Sequence, residues 1–207
     1  MRKMLALVAT FAFAAQASAE VLHDSFQTRG KGAQAWFYAG DDCSYVAVNA
    51  WESESVTRST SGGPVTSGYS GAYVFGFNWC TGAELFGFAY ADSGFSQNQL
   101  NSAAMSFAMT ITSQTCGVVN DEWQCTSSDA SATLAVQIAG SGDTSRGMSM
   151  SNQSSGTVRQ TWRQSGSFRS GDATGSLVMG TTDLLAGVAG FGQLTTSTSG
   201  QNDLYRF

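Results

Sequence analysis

Across residues 103–111 the odd positions are apolar and the even ones small or polar, so Ala103, Met105, Phe107, Met109 and Ile111 share one face of an extended chain. Successive side chains of a strand point to opposite faces, and an unbroken period of two dictates a strand with one side buried. Residues 130–138 repeat the pattern, with Ala132, Leu134, Val136 and Ile138 on one face and Ser131, Thr133 and Gln137 on the other. Residues 45–51, 157–169, 173–179 and 184–194 carry weaker versions of it. No segment shows the i, i+3, i+4, i+7 apolar repeat of a long helix.

Two further strands, residues 73–79 and 85–90, flank the short connection Cys80-Thr81-Gly82-Ala83-Glu84 and form a hairpin dense in rings. Tyr73, Phe75, Phe77 and Trp79 fall on one face of the first strand, and Phe86, Phe88 and Tyr90 on one face of the second, with Gly76 and Gly87 opposite them. The expectation is that these rings fill the core, because so many bare rings invite aggregation. The alternative is a surface on which sugar rings stack. Roughly ten short strands with turn residues between them predict an all-β, antiparallel fold. A β-sandwich of jelly-roll type leads, and an eight-stranded β-barrel is the alternative; either protects the strand edges.

The chain begins with Arg2 and Lys3, an apolar run from Met4 to Ala15, and the small-residue site Ala17-Ser18-Ala19. That is the pattern of a cleaved secretory signal over residues 1–19, too short for a membrane span of ~20 residues. Residues 20–207 are then a single β domain, secreted or periplasmic. Losing Arg2 and Lys3 takes the net charge from −5 to −7. An acid surplus excludes nucleic acid as a partner, since phosphate neutralisation requires the opposite sign. Export also favours disulfides among Cys43, Cys80, Cys116 and Cys125. Asn120-Asp121 supplies a turn that pairs Cys116 with Cys125, which leaves Cys43 for Cys80.

Chemistry is sparse. His23 is the sole histidine and no C-x-x-C spacing occurs, so neither a metal nor a cofactor is expected. Met148 and Met150 could offer soft thioether ligands, but core packing is the plainer role. Without further imidazoles a hydrolytic triad is improbable. Paired carboxylates could still serve glycoside hydrolysis. Glu52 and Glu54 share a strand face and are the weak catalytic candidates, with Glu84 and Glu122 as partners that folding could bring near; solvating a strand end is the plainer role. Arg159, Arg163 and Arg169 share the odd face of one strand and, with Trp51, are the candidate ligand-binding residues; arginines there could equally guard against edge pairing. The last residues, Leu204-Tyr205-Arg206-Phe207, resemble the closing strand of outer-membrane β-barrels, although Gln201 and Asp203 stand where that pattern has apolar residues. The leading expectation is a non-catalytic protein that binds or decorates an extracellular surface, with a glycan or cell-surface polymer as partner. The alternatives are an outer-membrane barrel, in which case a membrane is the partner, and a secreted glycoside hydrolase.

Overall fold

The computed structural model describes residues 21–90 and 95–206. The leader expected over residues 1–19, and Phe207, lie outside them. The strands are β1 (Val21–Gly40), β2 (Ser44–Ser59), β3 (Val65–Asn78), β4 (Ala83–Ala89), β5 (Ser96–Asn98), β6 (Ser102–Val119), β7 (Glu122–Ser155), β8 (Val158–Met179), β9 (Thr182–Asp183) and β10 (Ala189–Arg206). All pairings are antiparallel, and no helix occurs among the described residues. The hydrogen-bonded order runs β10-β1-β2-β3-β4-β6-β7-β8, and β8 pairs with β10 to close the ring. The fold is therefore all-β and antiparallel, as expected. Its ladder closes as a barrel does.

Eight strands enclose a space just wide enough for side chains to fill. The inner face accordingly alternates large and small residues. Phe107, Ile111, Leu134, Ile138 and Leu177 are fully buried, and Ala35, Ala50 and Ala72 fill the gaps between them. Phe37 shows how tight the fit is: a methyl added to Gly190 would stand 2.5 Å from its ring, and one at Gly175 2.9 Å from it. The alternations read at residues 103–111 and 130–138 are those of two adjacent walls, with Phe107 opposite Leu134.

The core is sealed at the end carrying the β1–β2, β3–β4, β6–β7 and β8–β10 connections. Leu185, in the connection to β10, is buried there, and its backbone N–H donates to Asp183 Oδ1 at 3.0 Å, as does that of Leu177 at 2.9 Å. Both expected disulfides are present at this end. Cys116 lies directly opposite Cys125 across the β6–β7 hairpin. Its turn residues Asn120 and Asp121 have φ of 54° and 63°, the paired left-handed conformation of a two-residue hairpin turn. Cys43–Cys80 ties the β1–β2 loop to the β3–β4 turn. Asp41 orders that loop: its Oδ1 accepts the backbone N–H of Cys43 at 2.8 Å and of Ser44 at 2.7 Å, and the Ser44 hydroxyl at 3.0 Å. These bonds, that from Cys43 foremost, hold the carboxyl below its ordinary value of 3.8. Their contribution to stability is present above that ordinary value and is lost as the pH falls through the lowered one.

The two bridges close loops of unequal length, with sequence separations of 37 for Cys43–Cys80 and 9 for Cys116–Cys125. Loop-closure entropy predicts losses of roughly 4 and roughly 2.5 kcal/mol when each pair is replaced by serine. Denaturant titration of the two double variants checks this, and a larger loss from the hairpin bridge contradicts it.

Candidate functional site

Register fixes what each wall shows to solvent. On β1 to β4 the outward row Trp36–Asn49–Tyr73–Phe88 runs straight across four strands, and the next row, Tyr38–Ala47–Phe75–Phe86, lies beside it. The rings expected in the core are therefore outside it, and Val74, Gly76, Leu85 and Gly87 face inward instead. The physical reason is volume: an eight-stranded interior already occupied by Phe37, Phe107 and Ile111 has room on these strands for glycine, alanine and aliphatic side chains such as Val48, Val74 and Leu85, not for a second set of rings. Tyr69 is 59% exposed, Phe88 46% and Tyr90 68%.

The rings form a continuous surface. Trp51 stacks on Tyr69 with centroids 6.3 Å apart and meets the edge of Phe88 at 6.3 Å. Phe88 touches Tyr90 at 4.2 Å, Tyr38 stacks on Tyr45 at 5.6 Å, and Trp36 reaches Phe191 at 5.6 Å. Gly71 is where it is because Trp51 lies over it: a methyl there would stand 2.5 Å from the indole. An amide pair sits among the rings, with Gln34 Nε2 donating to Asn49 Oδ1 at 3.4 Å. The outer wall of β6 to β8 has a different character. Ser106, Thr110, Thr112, Ser131, Thr133, Gln137, Thr174 and Ser176 face outward there with Asp129 and Asp172, among Ala104, Ala108, Ala135 and Ala139, and Trp162 and Phe168 lie farther along β8.

The inner face changes along the barrel axis. Beyond the core, at the end carrying the β2–β3 and β7–β8 connections, the inward positions become polar and charged. Residues 95–101 fold across the core at this level. Phe95 and Leu100 pack on it, and Gln97 Nε2 donates to the Thr195 carbonyl at 3.0 Å. The backbone N–H of Gly140 donates to the Asn101 carbonyl at 2.8 Å, at the register shift between Gly140 and Thr144. Lys31 Nζ lies 5.1 Å above the Phe95 ring and 3.0 Å from Glu54 Oε2.

The sequence-derived candidates divide between these regions. Glu52 and Glu54 do share the inner face, but Glu52 is buried and Glu54 is engaged by Lys31. Glu84 faces outward and Glu122 stands beside the hairpin turn beyond Cys116–Cys125, so folding does not bring the four carboxylates together. Arg159, Arg163 and Arg169 point into the barrel, whereas Trp51 belongs to the outer surface. Arg169 is structural: its Nε donates to the Gly142 carbonyl at 2.7 Å and its Nη1 to Asn101 Oδ1 at 3.3 Å. Met148 and Met150, expected in the core, are 85% and 57% exposed. No group of three metal-ligating side chains occurs among the described residues. Sequence reasoning missed Gln34 and Asn49, which only the β1–β2 register pairs, and Arg58, which continuing the β2 alternation past Glu54 would have placed inside.

No family model and no curated protein matches the chain. Among solved structures, the outer membrane protease OmpT from Escherichia coli is similar over 92% of this chain and 98% of its own, at 8% identity and a TM-score of 0.20. That score is too low to bear on fold or function.

Replacing Arg169 with alanine removes its bond to Asn101 Oδ1, one tie of residues 95–101 to β8, and its bond to the Gly142 carbonyl of β7, at an expected cost of about 1–3 kcal/mol. Hydrogen exchange should then speed up at Gly140 before it does at Phe107 or Leu134. Simultaneous exchange at all three sites contradicts a locally anchored segment.

Proposed function

We propose that the chain is a non-catalytic, extracytoplasmic β-barrel that binds glycans through the aromatic outer face of β1 to β4. The observation that carries this reading is the contiguous exposed ring surface around Trp51, Tyr73 and Phe88 with the Gln34–Asn49 amide pair set into it. A contiguous apolar patch rimmed by polar groups marks a binding surface. Flat rings present a negatively charged face to the weakly positive C–H groups of a pyranose, and interspersed amides supply the directional bonds that hydroxyl groups require. A net charge of −7 after loss of the leader opposes docking on an anionic bilayer.

The cysteines support an oxidising compartment. Two disulfides and no free thiol among the described residues fit an oxidising location, secreted or periplasmic. A closed ring of eight is also the size of the smallest outer-membrane barrels. The outer wall of β6 to β8 speaks for water instead, because Asp129, Asp172 and the surrounding hydroxyl and amide side chains would face hydrocarbon in such a barrel. The carboxylate arrangement supports no hydrolase, since Glu54 is held by Lys31 and Glu84 lies on the other side of the wall.

Affinity electrophoresis of the mature protein through gels carrying neutral soluble polysaccharides tests the proposal. Retardation by at least one of them is expected, weakened roughly fivefold by Trp51→Ala and by Tyr73→Ala at unchanged melting temperature, about 1 kcal/mol for each ring. Migration unaffected by every polysaccharide, or retardation indifferent to both substitutions, contradicts it.

A further inference from the structure

The cationic side chains are partitioned by the barrel wall. Lys31 and Arg169 point inward and are engaged, by Glu54 and by the Gly142 and Asn101 oxygens. Arg29, Arg58, Arg146, Arg159 and Arg163 also occupy inward positions of the same end, by the register of β1, β2, β7 and β8. None of these five has an ion pair among the described residues. Glu52 and Glu54 also face inward, Glu54 paired with Lys31, whereas Asp24, Glu84, Asp129 and Asp172 are on the outer face. A chain with fifteen acids and ten bases thus turns its positive charge into the open end of its own barrel.

That end holds a cavity of about 580 Å³ between β1, β2, β7, β8 and β10. Arg58 and Arg163 line it from opposite sides, with Ser25, Gln27, Thr198 and Asn202 supplying hydroxyl and amide groups. Like charges drawn into a concave space repel one another, and the low-dielectric wall focuses their field towards an incoming anion. Guanidinium groups meet carboxylate and sulfate oxygens through paired N–H donors. We propose that the open end is a second binding site, distinct from the aromatic face, for an acidic oligosaccharide. The oxyanions pair with Arg58 and Arg163, and the sugar hydroxyls meet the Ser25, Gln27, Thr198 and Asn202 side chains. Phosphorylated ligands share the oxyanion chemistry, but the hydroxyl- and amide-rich lining between the arginines matches a sugar.

Calorimetric titration of the mature protein with trigalacturonate, with inositol hexakisphosphate and with maltotriose separates the possibilities. The expected result is salt-sensitive binding of trigalacturonate that falls at least tenfold in Arg58→Gln/Arg163→Gln, is partly kept in Arg58→Lys/Arg163→Lys, and is unchanged in Trp51→Ala. Maltotriose is not expected at this site. Binding of inositol hexakisphosphate without trigalacturonate overturns the saccharide assignment. Failure of both anions to bind at low salt, or binding indifferent to the double glutamine variant while circular dichroism shows it folded, overturns the site. Because Trp51→Ala reports only on the aromatic face, loss of one site is distinguishable from loss of the other.

Discussion

The narrow interior of a closed eight-stranded ring is the constraint on which everything else rests. Once β8 pairs with β10, each residue is either inside or outside, and the inside holds few large side chains. Phe37, Phe107, Ile111, Leu134 and Leu177 occupy it, with glycine, alanine and the smaller aliphatic side chains Val48 and Val74 on the walls that face them. Rings on β2, β3 and β4 have then nowhere to go but outward. The exposed aromatic surface is thus a consequence of how the core is packed, and the small residues beneath it allow the rings to lie flat.

The same geometry separates the two halves of the barrel. Towards the disulfide-bonded end the inner face is apolar and sealed by Leu185; towards the other it is sealed by Phe95 and Leu100 and becomes polar beyond them. Burying unpaired guanidinium groups would cost several kcal/mol each, so the arginines stay at the open end beyond the core. Charge there destabilises the closed ring through repulsion, and the sealed core and two bridges offset it.

Much of this was legible in the sequence and some was not, for identifiable reasons. The period-two runs in β6 and β7 were clear because both lie where one face meets the core. The disulfide pairing followed from Asn120-Asp121. β1 went unread because its inner face passes from Ser25, Gln27, Arg29 and Lys31 to Ala33, Ala35 and Phe37, so its apolar alternation covers only the half that reaches the core. β8 read as two strands for the same reason, its inner face changing from Arg169 to Ala173 and Leu177. Residues 184–188 looked strand-like, but Asp183 ties them into a turn and the strand begins at Ala189. The rings of residues 73–90 were assigned inward on the general rule that aromatics fill cores, which closure into a small ring reverses. The convergence of Arg58 with Arg163 is a property of register alone.

The central claim is a barrel with an apolar core and an outer wall that meets water, its rings densest on β1 to β4. Flotation of the refolded mature chain with phospholipid vesicles in a density gradient, without detergent, tests it most directly. The account predicts that the protein stays at the bottom of the gradient as a soluble species. Recovery with the vesicles as a heat-modifiable band would show that lipid covers the outer wall, Asp129 and Asp172 included, and would contradict it.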